Sequence, residues 1–149
     1  MQHGEAAPEE VDPARPLTPR GREEVARVAR MARKMGVRAE RILHSGKLRA
    51  LETAEILARE LGQEANVSQA DGLAPKDDPQ LALHTIEASN QSLILVGHLP
   101  HLSRLVSLLL VGDPGREIVA FRMGALVSLA RESESGWRLR WIIPPEAGG

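Results

Sequence analysis

Ser92-Leu93-Ile94-Leu95-Val96-Gly97-His98-Leu99-Pro100 is the stretch whose reading decides the fold. The apolar run between Ser92 and Gly97 predicts a strand covered on both faces, as in a parallel sheet flanked by helices. Leu102, Leu105, Val106 and Leu109 then recur at helical spacing, so a helix over 99–110 follows the strand directly. A strand that delivers a histidine to a helix start is an α/β junction. In open sheets of that class, ligands gather at the carboxyl ends of the strands.

The same alternation extends outward in both directions. Upstream, Thr18-Pro19 reads as an N-cap with Pro at the first helical position. Val25, Val28, Ala29, Ala32 and Met35 continue that helix, and Gly36 stops it. Arg41 to Ser45 reads as a strand. Leu48, Leu51, Ala54, Leu57, Ala58 and Leu61 then form one helical face that ends at Gly62. A short strand is expected near Ala65–Ser68. Asp78-Pro79 caps a further helix with Leu83 and Ile86 inward. Downstream, 125–131 and 137–143 alternate with period two around Ser135-Gly136, the pattern of a hairpin. The expected fold is an α/β three-layer sandwich: a mixed, mostly parallel sheet flanked by helices, with a closing β-hairpin. One domain spans 1–143, residues 5–16 form a loop, and 144–149 read as a loose tail.

Bulk properties narrow the chemistry. A chain of 149 residues with 42% hydrophobic and 26% charged residues can bury a core. It has no cysteine, which excludes disulfides, thiolate metal sites and thiol catalysis. No apolar run reaches the length of a membrane span, and the polar, acidic start does not read as a signal peptide. A cytoplasmic protein that uses neither membrane nor nucleic acid is expected. The net charge is −1, yet residues 14–50 carry eleven Lys and Arg against three Glu. Such a basic lobe steers anions, or is simply a solvated helix face. Trp137 and Trp141 alternate with Arg138 and Arg140 and are expected to pack on the core.

Three strand-end junctions hold the groups that can do chemistry: Gln2-His3-Gly4, His44-Ser45-Gly46 with Lys47 and Arg49 beyond it, and Gly97-His98-Leu99-Pro100. Two histidines and an arginine beside a helix N-terminus suit a phosphate. They lack the spacing of a metal site such as HExxH, so neither metal nor cofactor is expected. A histidine nucleophile needs one neutral nitrogen, its tautomer fixed by a hydrogen bond from the other. An arginine fork binds two phosphate oxygens at once. A second histidine is most useful protonated, where it stabilises the transferring phosphoryl group. Among the other histidines, His84 reads as structural and His44 as packing or pocket lining. His101 either faces the phosphate or packs nearby.

The ordered motifs His3-Gly4-Glu5, Leu17-Thr18-x-x-Gly21, Ser45-x-x-x-Arg49-Ala50-x-x-Thr53-Ala54 and Gly97-His98-x-Pro100 resemble the histidine phosphatase superfamily, with its phosphoglycerate mutase-like fold. Leu-Thr-Pro-Arg-Gly and the short length look most like its SixA-type phosphohistidine phosphatase branch. The resemblance covers residue 2 to about residue 131. It implies that His3 is the phosphorylated residue, Arg49 the second phosphate-clamping arginine and His98 the second pocket histidine. Gln2, Gly4, Ser45 and Leu99 complete the expected phosphate site, and Thr53 supports Arg49.

Three departures from the family bear on function. Gln2 stands where the family has arginine, and Arg104, Lys47 and His101 are the candidates to replace the lost charge. An apolar, central strand precedes the first motif in the family, whereas only Met1 precedes Gln2 here. Either the sequence begins within that strand, or the sheet carries an empty slot. Larger members also hold a carboxylic acid for the leaving oxygen, for which SixA-like members and this chain show no clear equivalent. A phosphoramidate leaving group needs less help of that kind. The resemblance therefore implies an enzyme acting on a phosphorylated protein, for instance a phosphorelay histidine domain, and the absence of a long apolar stripe in the sequence leans toward a monomer. A small-molecule phosphomonoesterase is the alternative, with Glu5, Asp77 or Asp78 as acid. So is a non-catalytic phosphate-binding module.

Overall fold

Helix α1, Pro19–Lys34, opens the regular part of the chain, and the computed structural model describes residues 1–132 and 136–147. The Thr18 side chain accepts a hydrogen bond from the Gly21 amide at 2.9 Å, satisfying a donor that helix geometry leaves free. Val25, Val28, Ala29 and Ala32 form its buried stripe. Met35 is the C-cap, one residue before the expected stop at Gly36. Strand β1, Arg41–His44, and helix α2, Leu48–Leu61, match their expected positions, and Gly62 closes α2 in the left-handed conformation. A short 3-10 turn at Glu64–Asn66 displaces the next strand, so β2 is Val67–Gln69 rather than Ala65–Ser68.

Helix α3, Pro79–Glu87, is capped by Asp78. Its buried residues are Pro79 and Ala82, with Leu83 and Ile86 half-buried. Strand β3, Leu93–Val96, leads to helix α4, His101–Val111. That helix starts two residues later than its periodicity suggests, with Pro100 as its cap. Strands β4, Leu126–Arg131, and β5, Trp137–Ile143, form the antiparallel pair. Of the expected turn, Ser135 lies outside the described residues and Gly136 has φ +82°. No described helix is long and apolar enough to cross a membrane.

The parallel sheet runs β2-β1-β3. Successive β1 side chains face opposite layers. Ile42 joins the core under α1 and α2, and Leu43 joins Leu73, Ala82 and Leu105 under α3 and α4. The result is the α/β sandwich, with helices on both faces. Ion pairs Arg20–Glu24 and Arg27–Glu23 along α1, and Arg22–Glu52 and Arg30–Glu60 from α1 to α2, occupy much of the basic run. That part of the run is a solvated helix face.

Met1 to His3 tie the two sheets together at one end. The Met1 ammonium donates to the Leu95 carbonyl at 2.8 Å, and Gln2 forms a parallel bridge with Gly97. On the other side the Gln2 amide donates to the Ala125 carbonyl at 3.2 Å. Beyond Met1, β3 and β4 are parted by a groove of about 610 Å³, bordered by Leu93, Leu95, Leu105, Leu129 and Trp141. The expectation of a strand covered on both faces therefore holds for Ile94 and Val96 only. Leu93 and Leu95 remain half-exposed beside the groove. Trp137 also lines it, half-buried. Residues 144–147 do not hang free as a loose tail would. Pro145 is buried, its carbonyl accepts from Arg27 at 3.4 Å, and Ala147 packs on the main core.

Candidate active site

The first junction is fixed by its backbone. The His3 amide donates to the Gly97 carbonyl at 3.0 Å, and the Gly124 amide lies 3.1 and 3.0 Å from the carbonyls of Gln2 and His3. The His3 ring is buried, with Nδ1 2.7 Å from the Gly4 carbonyl. A carbonyl can only accept, so Nδ1 carries the proton and Nε2 keeps its lone pair. Gly4 is required by close approach: a Cβ there would meet the Val25 side chain at 2.7 Å. The Gly4 amide donates to Thr53 Oγ1 at 3.0 Å, and that hydroxyl donates to the Arg49 carbonyl at 2.7 Å. Thr53 thus joins the first junction to the second through backbone groups.

The other two junctions converge on the same place. The His98 ring lies 5.1 Å from that of His3, centroid to centroid, tilted by 50°. Ser45 Oγ is 2.6 Å from His98 Nε2 and also accepts from the Lys47 amide at 3.3 Å. Arg49 sits in the first turn of α2. His98 Nδ1, Arg49 Nε and Gln2 Oε1 are buried with no hydrogen-bond partner among the described residues. Folded proteins rarely leave such atoms unmatched, and the two on the pocket residues His98 and Arg49 fit a polar ligand.

Burial and neighbouring cations set the charges. Burial, then His3, Arg49, Lys47 and His101, push the His98 pKa down to about 3. The sequence reading placed a proton on this ring, but in the pocket's own field it is neutral, because desolvation and nearby positive charge both disfavour the cation. Burial lowers His3 as well. The Gly4 hydrogen bond partly opposes this, and Arg49 and Arg15 add to the lowering. Burial and Arg15 also lower Arg49. Arg15 was not among the expected site residues. Lys47 acts on His98, and Arg104 on His101.

The histidine phosphatase superfamily (branch 1) profile matches residues 3–75. An uncharacterized protein of Picosynechococcus sp. is 34% identical over 148 residues, covering 89% of this chain and 88% of that protein. The phosphohistidine phosphatase SixA of Escherichia coli is 29% identical, covering 97% of this chain and 91% of its own length. The solved structure of the protein histidine phosphatase SixA complexed with tungstate superposes with a TM-score of 0.82 at 29% identity, over 97% of this chain and 94% of that one. The chain belongs to the histidine phosphatase superfamily, in its SixA-type branch.

Within this phosphatase the remaining expected residues separate clearly. Gln2 is buried, its backbone held as described. Leu99 is 38% exposed between His98 and Pro100. His44 is buried and accepts from the Gly46 amide through Nδ1 at 3.0 Å, shaping the turn rather than the pocket. His101 is fully buried, with both ring nitrogens unpartnered among the described residues. His84 is exposed. The carboxylates considered as acids are engaged elsewhere: Glu5 with the Thr18 hydroxyl, Asp77 with the Ala74 amide and Asp78 with the Gln80 amide. Among the described residues, no cluster of three or more His, Asp or Glu is placed to hold a metal ion.

Proposed function

We propose that this phosphatase hydrolyses phosphohistidine on a protein, by way of a phosphoryl group carried on His3. The observation that carries the reading is the His3 ring, whose Nδ1 is fixed on the Gly4 carbonyl and whose Nε2 stands free beside His98. Nε2 attacks phosphorus, the P–N bond of the substrate breaks, and the departing imidazole nitrogen keeps the electron pair and takes a proton from solvent. Water then attacks phosphorus, releases inorganic phosphate and returns His3 to its neutral form.

Arg49 holds the phosphoryl oxygens in both steps. His98 starts neutral. A phosphate dianion beside it favours its protonated form, so the charge expected of it arrives with the substrate. The engagement of Glu5, Asp77 and Asp78 in structural hydrogen bonds supports a substrate whose leaving group needs no dedicated acid. The 29% identity to a phosphohistidine phosphatase supports the same choice.

Direct trapping tests the reading. The chain is incubated with a labelled phosphohistidine peptide, quenched in base, where phosphohistidine survives, and mapped by mass. Label on His3, its absence in His3→Ala and release of phosphate are expected. Fast cleavage of a small phosphate ester with the phosphohistidine peptide left intact would shift the assignment to a phosphomonoesterase. Binding without label or turnover would make the chain a phosphate-binding module.

A further inference from the structure

The loop that precedes α1 folds back on the first junction. Ala6 bridges Leu17 in antiparallel fashion, the Ala7 amide donates to the Pro16 carbonyl at 2.8 Å, and the Thr18 amide donates to the Glu5 carbonyl at 2.9 Å. Arg15 stands at the end of this ribbon with φ +51°, the one non-glycine residue with positive φ among those described. An arginine has no intrinsic reason to adopt that conformation, and such strain persists where surrounding contacts impose it. Two contacts do so here: its amide donates to the Asp12 carbonyl at 2.9 Å, and its Nε donates to the Ala7 carbonyl at 3.1 Å. The guanidinium is therefore anchored at Nε, and its terminal nitrogens keep their donors. Arg20, Arg22, Arg27 and Arg30 each pair with a glutamate, whereas Arg15 forms no ion pair among the described residues.

We propose that Arg15 supplies the second guanidinium of the phosphate pocket, replacing the cation that Gln2 lacks. Arg15 lies on the returning side of the ribbon that pairs 5–7 with 16–18, its Nε held on the Ala7 carbonyl, four residues along the chain from His3. The assignment rests on the phosphatase reading of that pocket. Its positive charge acts on both His3 and Arg49, lowering the pKa of each. The ligand it recognises is the phosphoryl oxygens of the substrate or an equivalent tetrahedral oxyanion.

Calorimetric titration with tungstate tests this on the wild-type chain, Arg15→Gln, Arg15→Lys and the double variant Arg15→Gln/Gln2→Arg, with thermal melts of each. Loss of charged hydrogen bonds weakens binding roughly ten- to hundredfold in Arg15→Gln. Arg15→Lys, which keeps charge but loses the fork, falls between. Gln2→Arg restores most of the loss, which a merely structural role for Arg15 would not permit. In turnover assays, the acid limb of kcat/KM moves to higher pH in Arg15→Gln, because removing a cation raises the His3 pKa. Tungstate binding within twofold of wild type in Arg15→Gln would overturn the proposal. So would failed rescue by Gln2→Arg in a chain that melts normally. If Arg15→Gln does not fold, Arg15→Lys decides: binding unchanged from wild type refutes the fork. Weakened tungstate binding without any labelling of His3 would leave Arg15 in place and remove the phosphohistidine reading. A wild-type chain that ignores tungstate would remove both.

Discussion

At the scale of single residues, the pocket depends on backbone groups as much as on its charged side chains. Thr53 shows this best. Its hydroxyl is fully buried, accepts from the Gly4 amide and donates to the Arg49 carbonyl. Thr53→Val keeps the shape and deletes both bonds, leaving the Gly4 amide buried and unpaired. A cost of about 1–3 kcal/mol in stability is expected by chemical denaturation. The His3 labelling rate should fall more than substrate affinity, because the Gly4 carbonyl orients the attacking ring. An unchanged labelling rate would show that Gly4 needs no such support. Arg49 and His98 could be read from the sequence because each stands where a strand gives way to a helix, and His3 because the ordered motifs pick it out. Arg15 could not, since its place depends on the path of an irregular loop with no periodicity to follow. The protonation of His98 was also beyond reach, because it is decided by burial among four other cationic or titratable neighbours.

At the scale of elements, the caps and stripes of α1, α2 and α3 were readable because their signals are local. Thr18 and Asp78 accept from amides two or three residues onward, and Gly62 ends α2 on its own φ. Of the boundaries that shifted, that of β2 answers to a contact distant in sequence: it waits for its register against β1, Val67 opposite Ile42. The start of α4 is set locally, by Pro100 as its cap. The start of α1 carries a sharper constraint. Gly21 packs against the Glu5 backbone so closely that a Cβ would stand 2.1 Å from the Glu5 carbonyl oxygen. The obstruction is main chain, so no side-chain rotation relieves it. Gly21→Ala should cost at least the upper end of the roughly 1–3 kcal/mol typical of overpacking, although alanine is the better helix former. It should also displace the 5–17 ribbon, so tungstate affinity falls together with the melting temperature. A normal melt would show that the ribbon moves freely away from α1.

At the scale of the whole molecule, the two sheets would be one if a strand ran between β3 and β4, continuing Met1 backward along the groove. The Gln2–Gly97 bridge sets it parallel to β3. Its far side would then pair with β4, giving the order β2-β1-β3-new-β4-β5. The groove bordered by Met1, Leu95 and Leu129 lies where such a strand would run. The Met1 ammonium is buried at its end, and desolvation lowers its pKa from 8.0 to about 5. Between those values the unfolded chain holds a proton that the folded chain does not, so stability rises with pH across that window. The full difference is on the order of 4 kcal/mol. His3, His44, His98 and His101 are lowered too and add the same sign as pH falls through 6.5. Adding four β-branched residues ahead of Met1 replaces the ammonium with an amide and supplies side chains for the groove. Melting curves at pH 5.5 and pH 8 should then show a midpoint raised by several degrees and a smaller difference between the two conditions. An acetylated N-terminus should narrow the difference while raising the midpoint less, since it removes the charge without filling the groove. If the extended and acetylated chains melt alike, the added residues lie outside the groove, and β3 and β4 are held apart by their own packing.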